Sequence, residues 1–294
     1  MTHILTLIAE GSNLSIAHLE MLENFIAANG VGENGRPEWL DMHKAADIPV
    51  QNCVTMKQMQ ELRALFAGDR IDILCTHTQN RKKKLLLADM DSTIVTTETL
   101  DELAGKAGIK DQIAAITARA MNGELDFKAA LRERVGLLKG LPLSALDETL
   151  DETEFCEGAE NLIHTMRENG ATCVLVSGGF TFFTGAISAK AGFHHHHGNT
   201  LNDDGAMLLG TVGDDILDKN SKLAYLKSYT QQLGLDLNQT VAIGDGANDL
   251  PMLAAAGLGI GYRPKPVLAE NLLNILQYAD LRGVLYAQGF KNIC

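Results

Sequence analysis

The sequence predicts an α/β protein: a Rossmann-like parallel sheet with helices on both faces, carrying a helical-bundle cap insert and preceded by a small α+β unit. Three observations predict it. Three apolar, β-rich runs (LLLA before Asp89, CVLVS from Cys173 and TVAIG from Thr240) each end in polar residues, and near-continuous apolar strands belong to parallel sheets buried on both faces. About eighty residues without a strand signal separate the first run from the second. The residues before about 80 carry a different pattern, and a chain of 294 residues, 46% hydrophobic, is long enough for two domains.

In residues 1–80, HILTLIAE reads as a strand and SIAHLEMLENFIAANG as an amphipathic helix. A strand follows around Trp39 to Ile48, then the helix MKQMQELRALFAG and the strand DRIDILCT. This βαβαβ order suggests a ferredoxin-like sandwich with one strand lost. A dimerising or purely structural role suits such a unit. Arg81-Lys82-Lys83-Lys84 reads as a solvated linker, too short a basic run for nucleic acid.

The first apolar run ends in Asp89 and Asp91, spaced i, i+2, which places both on one side of an extended strand. Two adjacent acids repel, so a bound cation or a shared proton is expected; the ordinary alternative is a strand running into an Asp/Ser turn. The second run ends in Ser177, Gly178 and Gly179, the third in Asp245 with Asp249 four residues on. Parallel sheets bind ligands outside the carboxyl ends of their strands, and three chance turns of this chemistry are improbable.

The segment between the first two runs reads as four helices: ETLDELAGKAG, KDQIAAITARAMNG, DFKAALRERVGLLKG and LSALDETLDE. Phe127, Leu131, Arg134, Val135 and Leu138 share one helical face. Arg134 is a guanidinium on an apolar stripe, which needs an anionic partner or snorkels at the stripe's edge. Taken alone, Glu98 is an ordinary first-turn helix acid and Lys222 a surface charge.

Beyond the second run, His194 to His197 reads as an exposed loop with no catalytic role, although such runs can bind transition metals. NTLNDDGAMLLGTV reads as a hairpin with a DG turn. A net charge of −12 argues against nucleic-acid binding. Five scattered cysteines without CxxC spacing suggest reduced thiols in the cytoplasm. No signal peptide and no apolar run near eighteen residues is present, so no membrane association is expected.

Asp89-Met90-Asp91-Ser92-Thr93, Ser177, Lys222 and Gly244-Asp245-Gly246-Ala247-Asn248-Asp249 resemble the four ordered motifs of the haloacid dehalogenase superfamily. The fuller strings, DMDST followed by Glu98, VSGGF and AIGDGANDLPML, resemble the phosphoserine phosphatases, from about Lys84 to Phe290. The resemblance implies a phosphatase domain over 81–294 with a cap at about 96–155. It implies that Asp89 is the nucleophile and that Asp91 handles the proton. Magnesium would be held by Asp89, the Asp91 carbonyl and Asp245, with Asp249 just behind. Ser177, Gly178, Lys222 and Asn248 would bind phosphate, Arg134 the substrate carboxylate and Glu98 its ammonium, with Phe127 and Met121 packing over them. The implied reaction is hydrolysis of O-phosphoserine to serine and phosphate, the last step of serine biosynthesis. The alternatives are transfer to homoserine, hydrolysis of another small metabolite, and a phosphate-binding regulatory module without turnover. The N-terminal unit resembles amino-acid-sensing domains fused to some of these enzymes, which leaves a homodimer open.

Overall fold

The computed structural model of the chain describes residues 1–121 and 124–293, Met121 by its backbone alone. The first elements are β1 (His3–Ala9), α1 (Ile16–Ala28), β2 (Glu38–Asp41), β3 (Ala45–Val50), α2 (Met56–Phe66) and β4 (Ile71–His77). They form an antiparallel sheet ordered β2-β3-β1-β4, the ferredoxin-like βαββαβ arrangement. The single strand expected over Trp39–Ile48 is therefore two strands, and none is lost. The turn between them places His43 at φ 62, with the Lys44 amide donating to the Asp41 carbonyl at 3.1 Å. A left-handed histidine carries none of the Gly or Asn chemistry by which a turn is read from sequence.

The remainder begins with β5 (Leu85–Ala88), followed by α3 (Thr99–Lys106), α4 (Lys110–Met121), α5 (Phe127–Gly136) and α6 (Ser144–Asp151). Then come α7 (Ala159–Glu168), β6 (Thr172–Phe180), α8 (Thr181–Ala191), β7 (His195–Asn199), β8 (Leu201–Asp203), β9 (Leu208–Val212) and α9 (Lys219–Gln232). The chain closes with β10 (Thr240–Gly244), α10 (Leu250–Ala255), β11 (Leu258–Tyr262), α11 (Pro266–Asn271), β12 (Ile275–Leu276) and α12 (Gly283–Ala287). β8 and β9 make the expected hairpin, turning through Gly205 at φ 89.

The parallel sheet runs β12-β11-β10-β5-β6-β7, so the three apolar runs of the sequence lie side by side at its centre. Successive residues feed opposite cores. Leu86, Ala88, Cys173, Leu175, Val241 and Ile243 pack on one face, while Leu85, Leu87, Val174, Val176 and Ala242 pack on the other. Helices cover both faces, and the strands are apolar throughout for that reason. The register pairs Ala88 with Ile243 and with Leu175, which brings the three polar strand ends to one level.

Two expectations change. His195–His197 are not in a loop but form the edge strand β7, paired with Val174–Val176. The alternation of a strand explains how histidines serve there. His197 stacks on Tyr225 at 4.0 Å and hydrogen-bonds the Tyr229 hydroxyl at 2.8 Å on one face, and His196 meets the Thr184 hydroxyl at 3.0 Å on the other. Arg81–Lys84 is a solvated linker only at Lys82 and Lys84, which are exposed. Arg81 forks onto Asp47 at 2.6 and 2.8 Å and donates to the Ala287 carbonyl at 2.9 Å. Lys83 is buried, its Nζ donating to the Asn238 carbonyl at 2.7 Å. Neighbours distant in sequence supply the acceptors that make a charged run packable.

The two sheets also share packing. Ile8, Leu40, Ala45 and Leu74 belong to the same hydrophobic core as Leu276, Val284 and Tyr286. The buried Asp72 carboxylate accepts from the amides of Gln277, Tyr278 and Ala279 at 2.8–3.0 Å.

Candidate active site

At the carboxyl end of β5 the Asp89 amide donates to the Ile243 carbonyl at 3.0 Å, which carries the sheet ladder one residue past the strand. Asp89 Oδ1 accepts from the Met90 amide at 2.8 Å and pairs with Lys222 Nζ at 2.7 Å. Lys222 comes from the first turn of α9, whose N-cap Asp218 accepts from the amides of Asn220 and Ser221. The same ammonium reaches Asp249 Oδ1 at 2.6 Å, and Asp249 Oδ2 accepts from the Gly246 amide at 3.0 Å. Lys222 and Asp249 are both buried. Burial opposes the Lys222 charge, but the Asp89 and Asp249 carboxylates outweigh it and raise its pKa. Burial, together with the charge of Asp249, pushes the Asp89 carboxyl well above its ordinary range, with Lys222 opposing.

Asp91 sits one turn of chain away, held at both oxygens. Oδ1 accepts from the Thr99 amide at the start of α3 at 2.9 Å, and Oδ2 from the Ser177 hydroxyl at 3.1 Å. Burial and the nearby Glu98 charge push Asp91 up to about 6, with the Thr99 amide opposing. The Gly179 amide in turn donates to Ser177 Oγ at 2.8 Å. A Cβ on Gly179 would come within 2.9 Å of Asp91 Oδ2, so a larger residue there would drive the carboxylate from its place. Gly244 has the same function below, since a Cβ would meet Asp249 Cγ at 2.5 Å.

The helices α3, α4 and α5 stand over these strand ends and enclose a cavity of about 440 Å³. Of the residues singled out from sequence, Asp89, Asp91, Glu98, Phe127, Arg134, Ser177, Gly178, Asp245 and Asn248 line it. Lys222 and Asp249 are not among its lining residues; Lys222 joins Asp249 to Asp89. Met121 falls outside the described side chains. Phe127 reaches down to the strand end, 3.6 Å from where a Gly178 Cβ would stand. Arg134 is half-buried; its Nε donates to the Ala130 carbonyl at 3.4 Å, and no carboxylate among the described residues lies within salt-bridge distance. Asp249 takes the N-cap position of α10.

Two participants escaped the sequence reading. Lys265 Nζ lies 3.1 Å from Glu98 Oε1 and 3.0 Å from Asp245 Oδ2. Burial lowers its pKa, but the two carboxylates more than offset that and raise it. A lysine ahead of Pro266 carries no local signal. Thr99 anchors Asp91 through its backbone amide, which no side-chain pattern reveals.

Asp89, Asp245 and Asp249 bring ligand oxygens within 4.8 Å of one another, all three buried. Lys222 and Lys265 offset part of that negative charge, and the all-oxygen donor set fits a hard divalent cation.

Comparison with known proteins agrees with this geometry. Residues 86–254 match the model of the haloacid dehalogenase-like hydrolases. A probable phosphoserine phosphatase of Schizosaccharomyces pombe is 40% identical over 232 residues, covering 76% of this chain and 77% of the relative. The unliganded structure of a probable phosphoserine phosphatase from Vibrio cholerae superposes with a TM-score of 0.78 at 29% identity, over 98% of this chain and 86% of the other. A phosphoserine phosphatase solved as a phospho-aspartyl intermediate analogue gives 0.64 at 40% identity, over 70% of this chain and 98% of its own. Family match, relatives and strand-end geometry converge: the chain belongs to the haloacid dehalogenase-like hydrolases and, within them, to the phosphoserine phosphatase family.

Proposed function

We propose that the chain hydrolyses O-phosphoserine to serine and phosphate, with magnesium, through an aspartyl-phosphate on Asp89. Asp89 Oδ2 is the nucleophile, because the Met90 amide and Lys222 both engage Oδ1. It attacks phosphorus as the bond to the serine oxygen breaks, and Asp91 gives its proton to the departing alkoxide. A water then attacks the aspartyl-phosphate while Asp91 takes a proton from it, and phosphate leaves. A carboxyl at about 6 is suited to both directions of that transfer. The Ser177 hydroxyl and Gly178 amide receive phosphate oxygens, with Asn248 in the same cavity lining. Asp89 and Asp245 would hold the magnesium ion, which neutralises charge between the nucleophile and the dianionic phosphate when bound.

The observation that carries the substrate assignment is the pairing of Arg134 and Glu98 in one cavity with Asp89. A guanidinium without a carboxylate partner takes an anion, and Glu98, whose present partner is the exposed Lys265 ammonium, would exchange it for that of the substrate. A phosphate, a carboxylate and an ammonium together describe an amino-acid phosphate. The relatives named for phosphoserine support the same choice. The test is phosphate release over a panel of phosphorylated metabolites, with and without magnesium and with added homoserine. Phosphoserine should be the preferred substrate, the metal should be required, and homoserine should not divert the phosphoryl group. A different preferred substrate would overturn the assignment.

A further inference from the structure

Among the described cysteines, Cys156 and Cys173 are buried and their thiols are pushed up by burial, to about 11 and about 12. Cys53 and Cys75 differ. Cys53 is exposed, in the turn that leads into Thr55, the N-cap of α2. Cys75 is buried on β4, an edge strand of the antiparallel sheet. Their sulfurs lie 3.2 Å apart, across 22 residues of sequence. The hydrogen bond from Cys75 outweighs partial burial and lowers the Cys53 thiol to about 7, while Cys75 is pushed up by that contact and by burial. Cys53 is thus accessible and more acidic than an ordinary thiol, with a second sulfur 3.2 Å away. That is the arrangement of an attacking and a resolving cysteine.

We propose that Cys53 and Cys75 form a site of reversible thiol oxidation, closing an intrachain disulfide when the protein meets a small disulfide oxidant such as glutathione disulfide. The Cys53 thiolate attacks one sulfur of the oxidant, forming a mixed disulfide and expelling one glutathione thiolate, which takes up a proton. Cys75 then loses its proton and attacks the Cys53 sulfur, and the second glutathione leaves. Two protein thiols are oxidised by two electrons, and one glutathione disulfide is reduced to two glutathiones. The bridge joins the start of α2 to β4, two elements that hold the segment after α11. Arg63 of α2 donates to the carbonyls of Leu272 and Leu273 at 2.9 and 2.6 Å. The Cys75 amide and carbonyl are both bound by the Asn274 side chain, at 2.7 and 3.1 Å. Oxidation therefore tightens the seam between the two sheets. Neither cysteine lines the catalytic cavity, and the inference does not depend on which phosphate ester is hydrolysed.

The full chain is incubated with glutathione disulfide, quenched with an alkylating agent and mapped by peptide mass, alongside Cys53→Ala, Cys75→Ala and Cys156→Ala. The expected result is a Cys53–Cys75 peptide pair lighter by two hydrogens in wild type and in Cys156→Ala, and its absence in the other two variants. Closing a loop of this size should raise the melting temperature by several degrees, reversibly with dithiothreitol. Cys53→Ala alters an exposed position and keeps the test valid if Cys75→Ala fails to fold. Both thiols remaining alkylatable would overturn the proposal. So would a stable glutathione adduct on Cys53, or a disulfide between two chains.

Discussion

Arg134→Ala removes the one cation of the cavity wall that has no carboxylate partner among the described residues, since Lys265 pairs with Glu98 and Asp245. The guanidinium is half-buried on α5, between the buried Leu131 and Val135. Burial lowers its pKa and the Asp101 and Glu98 charges oppose that, so it stays cationic at every working pH. Its one side-chain hydrogen bond among the described residues is the 3.4 Å contact to Ala130, so little stability is lost, and alanine is the best helix former. The loss should fall on the substrate instead. One charge-assisted contact in a closed site is worth about 2–4 kcal/mol of transition-state stabilisation, or about 30- to 1000-fold in kcat/KM. The assay is steady-state phosphate release from phosphoserine and from phosphoethanolamine, which lacks the carboxylate, with thermal melts to check folding. Phosphoserine turnover should collapse, while the slow hydrolysis of phosphoethanolamine should change little. Equal losses on both substrates would mean that Arg134 is structural or binds phosphate, and the carboxylate argument would fail.

Lys222→Met should abolish activity and cost about 3–5 kcal/mol in denaturant unfolding, because it strands two buried carboxylates, Asp89 and Asp249, without their ammonium; a loss under about 1 kcal/mol would contradict the buried pairing. Asp91→Asn should stabilise the protein in metal-free buffer in a pH-dependent way. A carboxyl raised to about 6 from 3.8 binds its proton more tightly in the folded state, so wild-type stability falls as pH rises from about 4 to about 6 and stays reduced above. The variant should therefore match wild type near pH 4 and exceed it at pH 7.5 by up to about 3 kcal/mol; a pH-independent difference would exclude the raised pKa. Removing residues 1–80 tests the proposed boundary there. The fragment exposes Leu276, Val284 and Tyr286 and strands the Arg81 fork without Asp47, so it should be poorly soluble by size-exclusion chromatography, and a monodisperse, active fragment would show that the shared core is dispensable.

What the sequence determined by itself is local. The apolar runs at 85–88, 173–176 and 240–243 specify buried parallel strands, because only a sheet covered on both faces hides every residue of a run. The polar residues that end them specify the strand ends over which the cavity forms. The period of the insert specifies its helices, with α5 and its Arg134 facing inward. What the tertiary structure alone decided are contacts between residues far apart in the chain. Lys265 reaches Glu98 across 167 positions, Arg81 finds its acceptors at Asp47 and Ala287, and histidines become an edge strand because tyrosines of α9 await them. Cys53 and Cys75 read as scattered thiols until β4 brings their sulfurs together. Periodicity and turn chemistry act over one or two turns of chain, whereas a charge or thiol takes its role from what the fold sets against it, and no window of sequence contains both partners.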